Sequence, residues 1–199
     1  MPTTHAELVN SPTPIPQQPT TFTLGIRTHT GEAVTQFQRF QEELMHLIIV
    51  SEDFQVFQHL HPRYLGEGQF QVTTTLPQGG RYTLIADYKP AGAKETVAML
   101  PVAVQGTPPA APAPIAQTTQ VIDTTAVELK LPQPLKAGLP VAVAFRLRDA
   151  STQQPLPDLR PYLGEAGHLV ILRATTPLKP SDYLHAHALD RQPKETIVL

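Results

Sequence analysis

The sequence repeats itself, and the repeat limits the fold more than any other feature. Thr21-Phe-Thr-Leu-Gly-Ile-Arg27 and Ala142-Val-Ala-Phe-Arg-Leu-Arg148 both alternate apolar and polar residues, as a strand with one buried face does. Each is followed by turn residues, Gly31-Glu-Ala-Val34 and Gln153-Gln-Pro-Leu156. Met45-His-Leu-Ile-Ile49 then corresponds to Gly167-His-Leu-Val-Ile171, and Gln58-His-Leu-His61 to Leu184-His-Ala-His187. The offset is 121 at Phe22/Val143, 122 at His46/His168 and 126 at His59/His185, growing only where loops lie. Glu7-Leu8 and Glu128-Leu129 extend the match at 121. Such a chain folds as copies of one unit, and 199 residues suffice for two units that each bury a core.

Between the copies, Gly106-Thr-Pro-Pro-Ala-Ala-Pro-Ala-Pro-Ile115 has no charge and little to bury, which reads as a semi-rigid linker. The expected division is residues 1–105, a linker at 106–119, and residues 120–199. In the first unit, strands are expected near 6–9, 21–28, 45–51, 56–61, 69–75, 81–88 and 95–104. Only Gln36 to Leu44, with Phe37, Phe40 and Leu44 three and four apart, suggests a helical turn. Short strands with frequent turns predict an all-β chain of two tandem β-sandwiches joined by the Pro-rich linker. In Gly80-Arg-Tyr82-Thr-Leu84, a Tyr after a Gly at the start of a late strand resembles the tyrosine corner of immunoglobulin-like folds.

Composition excludes several function classes. The net charge is −2 and no basic block exists, so nothing neutralises a nucleic-acid backbone. Runs such as Leu47-Ile-Ile-Val50 fall far short of the ~20 apolar residues of a membrane span. With Cys at 0 there is no disulfide, thiolate metal site, blue-copper ligand or cysteine nucleophile. No basic region followed by an apolar stretch opens the chain. No Ser-His-Asp ordering, phosphate-cradling Gly loop or paired-carboxylate pattern stands out.

Against this background the 8 His carry the functional signal. Six form two equivalent triplets, His46, His59, His61 and His168, His185, His187; His5 and His29 lie outside the repeat and are read as surface residues. His59 and His61 are two apart on one expected strand and share a face. A hairpin centred on Asp53 and Phe54 puts His46 opposite His61, with Cβ atoms ~4.5–5.5 Å apart. All three imidazoles then converge, and a slip of one residue would send His46 to the other face. The second unit has a longer connection but can close His168 onto His185 or His187. Three neutral imidazoles suit Zn(II), Cu(II), Ni(II) or Fe(II). Met45 adjoins His46 but belongs to the opposite face of the strand. A lone His-x-His is an ordinary chance pattern. Its recurrence in a copy whose neighbours have changed (Leu60 against Ala186, Pro62 against Ala188) favours metal binding over a hydrogen-bonded His cluster or a proton-sensitive patch.

The segment His46-Leu-Ile-Ile-Val-Ser-Glu-Asp-Phe-Gln-Val-Phe-Gln-His-Leu-His-Pro62, with Pro77-Gln-Gly-Gly-Arg-Tyr82 and Ala86-Asp-Tyr-Lys-Pro-Ala-Gly92, resembles the His-containing β-sandwich modules, immunoglobulin- or cupredoxin-like, of bacterial extracytoplasmic proteins of the YtkA-like kind. Tyr162-Leu-Gly-Glu-Ala-Gly-His-Leu-Val-Ile171 and Tyr183-Leu-His-Ala-His187 fit the same pattern. The likeness covers most of residues 20–104 and 139–187, and Ala188 departs from it where the first unit has Pro62. It implies a periplasmic or secreted module, often near copper or other metal-handling systems.

The expectation is therefore a non-enzymatic metal-binding protein holding Cu(II) or Zn(II), one three-His site per unit, with a metal-handling envelope protein as a candidate partner. The alternatives are a ligand-free cell-envelope interaction module and a cupin-like metal-dependent oxygenase. The oxygenase pattern fits poorly, because Glu67 lies too far after His59-Leu-His61, no His follows Pro77 to Tyr82, and the second unit offers only Asp190. A further expectation concerns completeness. From His61 to Gln105 run 44 residues, but only 12 follow His187. The second unit is thus expected to be C-terminally truncated, with Glu195 to Leu199 beginning the counterpart of Gln69 to Thr75. A parent chain would carry ~30 more residues and a signal segment upstream.

Overall fold

A computed structural model describes residues 4–10, 12–40, 42–111, 117–162, 165–190, 194 and 196–199. The fold is all-β. Among the described residues the strands are β1 (Thr4–Leu8), β2 (Pro19–Thr28), β3 (Met45–Ser51), β4 (Phe57–Leu60), β5 (Arg63–Gly66), β6 (Gln69–Thr75), β7 (Gly80–Tyr88), β8 (Thr96–Val104), β9 (Thr119–Ile122), β10 (Thr125–Lys130), β11 (Ala144–Asp149), β12 (His168–Leu172), β13 (Tyr183–His187) and β14 (Thr196–Val198). No α-helix occurs among them, only a 3-10 turn at Pro180–Asp182. Among the described residues no helix is long and apolar enough to cross a membrane.

The chain divides into two compact units, residues 1–112 with 173–182, and residues 113–172 with 183–199. The excursion at 173–182, which the repeat alone assigns to the second copy, groups with the first unit. Of the expected linker, 106–111 is exposed and outside any strand, and 112–116 lies outside the described residues.

The first unit is a β-sandwich. One sheet has the order β1-β2-β6-β5 and the other β4-β3-β7-β8, with every pairing antiparallel. Alternation decides what lies between the sheets. Phe22, Leu24 and Ile26 of β2 and Phe70 of β6 meet Met45, Leu47 and Ile49 of β3 and Tyr82, Leu84, Ala86 and Tyr88 of β7 in one buried cluster. Burying side chains of this size stabilises by roughly 1.5–3 kcal/mol each. On the solvent side of the β1-β2-β6-β5 sheet, Thr21 and Thr73 pair across β2 and β6 through hydroxyls 2.8 Å apart.

The turns follow from their residues. Glu67 and Gly68 both have positive φ, 49° and 74°, the geometry that lets a two-residue hairpin match strand twist. A Cβ at Gly68 would lie 2.6 Å from the Ile26 carbonyl oxygen, so only glycine fits. The strand β5 after Pro62 was not expected. Proline has no N–H and ends β4, and Arg63–Gly66 then turns back to pair with β6. At the start of β7 the Tyr82 hydroxyl donates to the Gln78 carbonyl oxygen at 2.9 Å, which is the back-bond of a tyrosine corner.

The helical turn expected over Gln36 to Leu44 is absent among the described residues. The segment makes the isolated bridges Phe37↔Pro90 and Phe40↔Glu43 instead. Its backbone groups bond to the chain around β7's end, with Gln38 donating to Lys89 and Ala91 to Gln36. Phe37 packs edge-on against Phe70 at 4.9 Å and Tyr64 at 5.5 Å. The spacing of apolar residues reflects a strap laid over the sandwich edge, with tertiary contact overriding local periodicity.

In the second unit one sheet has the order β14-β11-β10-β9, and β12 pairs with β13. By the repeat, β10 and β11 correspond to β1 and β2, and β12 and β13 to β3 and β4. β14 pairs with β11, Ala144↔Val198 to Arg146↔Thr196, as β6 pairs with β2. Glu195, expected to open this strand, lies outside the described residues. β3 lies between β4 and β7, whereas among the described residues β12 is paired on one side only. Burial is shallower here: among the described residues Ala126, Val143 and Ala166 are the buried apolar residues, and Leu139, Leu184 and Leu189 are exposed.

The Tyr82 corner gives a stability prediction. Tyr82→Phe leaves the Gln78 carbonyl without its donor and should cost about 1 kcal/mol. Urea unfolding followed by a probe in the first unit should show a lower midpoint with unchanged slope. An unchanged midpoint would mean that the back-bond contributes nothing.

Candidate metal centres

The pairing of β3 with β4 is Leu47↔Leu60, Ile48↔His59, Ile49↔Gln58 and Val50↔Phe57. Continued by one position, this register brings His61 opposite His46. Met45, Leu47 and Ile49 point into the sandwich core, so His46 projects from the other face of β3. His59 and His61 are two residues apart and converge on it. His46 is fully buried, at 0 % exposure, while His59 and His61 are half-buried.

The His46 ring is the hub. Its Nδ1 lies 3.0 Å from His59 Nε2 and 3.2 Å from His61 Nε2. The ring centroids of His46 are 5.2 Å from His59 and 4.7 Å from His61, and His59 and His61 are 5.2 Å apart. Two nitrogens bound at ~2.0–2.1 Å to one ion are separated by roughly 3.3 Å in a tetrahedral site and by roughly 2.9 Å at right angles in a tetragonal one. The observed separations from the hub fall between those values.

In the second unit the strands pair His168↔His187, Leu169↔Ala186 and Val170↔His185. His168 and His187 are directly opposed, and His185 lies on the same face one pair along. Ligand-capable atoms of His168, His185 and His187 all lie within 4.8 Å of one another. Ring centroids are 4.5 Å apart for His168–His187, 4.4 Å for His185–His187 and 6.1 Å for His168–His185. Both triplets are therefore brought together by the same hairpin geometry. His5 and His29 are exposed and remote from both in sequence and register.

Each hub ring is also oriented from behind. His46 Nε2 is 3.4 Å from the Phe40 carbonyl oxygen, and His168 Nε2 is 2.8 Å from the Tyr162 carbonyl oxygen. A carbonyl oxygen only accepts, so Nε2 carries the proton and Nδ1 the lone pair. Metal-binding imidazoles are commonly held this way. Phe40 and Tyr162 also set their rings edge-on to the same histidines, at 5.2 Å and 6.0 Å. The carbonyls are aimed by matching tight turns. Phe40 and Glu43 exchange both backbone hydrogen bonds, at 3.0 and 3.2 Å, and Tyr162 and Glu165 do so at 2.9 and 3.2 Å.

These four residues were missed by reading strands and imidazoles alone. Their signal is present in the sequence, as an aromatic residue, a Glu three later and a His three after that, at 40/43/46 and at 162/165/168. A second overlooked residue is Asp87 on β7, buried and paired with His46, so its carboxylate shares the face of the first triplet. Among the described residues the second unit has no counterpart to it.

A family model described as a domain of unknown function (DUF8832) matches residues 4–106 and 119–198. The chain belongs to this family. The two DUF8832 stretches flank the Pro/Ala-rich segment and contain one His triplet each. No curated protein matches the chain.

Burial pushes the His168 pKa below its usual value. The Tyr162 carbonyl and the Glu165 carboxylate act in the opposite sense, and His185 adds to the drop. The folded protein thus takes up this proton less readily than the unfolded chain, whose histidines titrate near ~6.5. The corresponding stability is complete above about pH 6.5 and is lost as pH falls through the folded-state pKa. NMR titration of the metal-free protein should place the His168 midpoint below ~6.5, and its unfolding midpoint should fall as the solution is acidified past that value. A His168 midpoint at or above the ordinary value would contradict the burial argument.

Proposed function

We propose that each unit of this DUF8832 protein binds one divalent metal ion, Cu(II) or Zn(II), through His46, His59 and His61 in the first unit and His168, His185 and His187 in the second. The observation that carries the reading is the duplication of a whole arrangement. Three imidazoles converge on one face of a hairpin, and a main-chain carbonyl fixes the tautomer of the hub ring, in both copies. A structural His cluster needs no such repetition of the carbonyl and its turn.

The donor set supports a borderline divalent ion. Neutral imidazoles suit Zn(II) and Cu(II), and Cu(I) prefers thiolate or thioether sulfur. The Met45 sulfur belongs to the sandwich core, not to the histidine face. Three protein ligands leave at least one coordination position for water or for a donor from another protein. An exchangeable position of that kind suits a carrier, and we read the protein as a non-enzymatic metal-handling module. The resemblance of most of residues 20–104 and 139–187 to YtkA-like modules favours a periplasmic or secreted setting, with a metal-handling envelope protein as the partner.

Binding requires neutral imidazoles, so protons compete with the metal near ~6.5. Protein purified without an affinity tag should bind two equivalents by calorimetry, with affinity falling steeply from about pH 7 to about pH 5. His59→Ala with His61→Ala should remove one equivalent, and His185→Ala with His187→Ala the other. Unchanged stoichiometry in both double variants would overturn the assignment. Absence of binding by the wild-type chain would favour a ligand-free envelope module.

A further inference from the structure

The turn that aims each carbonyl also carries a carboxylate. Glu43 and Glu165 close their turns three residues before the hub histidines, at a constant offset of 122. Backbone hydrogen bonds make the turn, and any residue with an N–H and a C=O can supply them. The turn therefore does not explain why both copies carry glutamate rather than a neutral polar residue. Its side chain has another partner. Glu43 Oε1 lies 3.6 Å from His61 Nδ1, the ring nitrogen on the side away from the hub contact, while Arg39 approaches Glu43 Oε2 at 3.8 Å. His61 Nε2 is the atom that meets His46. Glu165 is buried at 8 % exposure and Glu43 is part-exposed.

Resting on the metal-site reading above, we propose that Glu43 and Glu165 are positioning residues of the two centres, each supplying an anion behind the imidazoles that favours the metal-binding tautomer and offsets the charge of a bound dication. For Glu43 the path is explicit. With an ion between the rings in place of the His61 Nε2–His46 Nδ1 contact, a carboxylate facing His61 Nδ1 favours the proton there and leaves the Nε2 lone pair to bind. The His46 proton is held by the Phe40 carbonyl, so two of the three rings in the first unit are set by groups on one turn. In the second unit Glu165 is buried and holds the equivalent turn position, three residues before His168 and hydrogen-bonded through its backbone to Tyr162. The anions also discriminate by charge, since a carboxylate beside three neutral imidazoles favours a dication over a monovalent ion of the same softness.

The test uses the full chain and Zn(II), measured by competition with a chromophoric chelator, together with long-range proton–nitrogen NMR of the histidine rings in the Zn(II)-loaded protein. Glu43→Gln should weaken one of the two sites about 10–100-fold while the stoichiometry stays at two, and Glu165→Gln should weaken the other. Glu32→Gln, an exposed charge on the β2 turn, should change neither. In Glu43→Gln the His61 ring should lose its preference for the Nδ1-protonated form, and Glu43→Asp should recover part of both affinity and tautomer. A purely structural glutamate would alter the unfolding midpoint and leave the tautomer unmoved. If the wild-type chain binds two Zn(II) and both Gln variants bind as tightly, with the His61 tautomer unchanged, this inference falls and the metal sites stand. If the wild-type chain binds no Zn(II), both fall. Should Glu43→Gln not fold, Glu43→Asp and Glu165→Gln decide the matter by the same readouts.

Discussion

The register between two neighbouring strands is the constraint on which the rest depends. Leu47↔Leu60 in one unit and Leu169↔Ala186 in the other fix which side chains share a face. In the first unit the register is enforced from the core, because Met45, Leu47 and Ile49 are buried between the sheets. Shifting β3 by one residue would exchange that apolar set for His46, Ile48 and Val50. The cost of burying His46 in the sandwich core without partners would be several kcal/mol. The hydrophobic pattern that folds the sandwich therefore also places the imidazoles, and no separate device is needed to bring His59 and His61 to the hub.

Ligand placement alone does not make a metal site, since an imidazole offers either nitrogen. The segment before β3 resolves that choice. It leaves the sandwich edge at Phe37, makes a tight turn at Phe40–Glu43 and enters β3 two residues later. One short stretch thereby contributes a carbonyl to His46 and a carboxylate to His61. The second unit repeats the turn at Tyr162–Glu165 although, among the described residues, its core is thinner and its β12 pairs with one strand rather than two. That persistence is most simply understood if the turn serves the histidines.

Much of this was legible in the sequence, and the reasons differ from element to element. The alternation of Thr21 to Arg27 and the matched spacing of the six histidines report directly on period-two structure, so the all-β class and the convergence of each triplet could be read. The Tyr82 corner could be read because a Tyr after a Gly at a strand start has few other uses. Gln36 to Leu44 misled because three-and-four spacing of Phe37, Phe40 and Leu44 also arises in an irregular strap whose apolar residues reach different neighbours. β5 was hidden because four residues after a proline carry too little pattern. Glu43, Glu165 and Asp87 escaped notice because a carboxylate reveals its role only through what lies beside it. The grouping of 173–182 with the first unit depends on tertiary contact and leaves no local trace.

The central claim is that three imidazoles of each unit share one ion. X-ray absorption at the metal edge tests it most directly, on the full chain loaded with two equivalents of Zn(II) or Cu(II). The first shell should contain three imidazole nitrogens per ion at ~2.0–2.1 Å, with the multiple-scattering features of histidine rings. The double variant His59→Ala with His61→Ala, loaded with one equivalent, should give the same three-imidazole shell from the remaining site. A shell dominated by oxygen, with one imidazole or none, would mean that the three imidazoles do not share an ion.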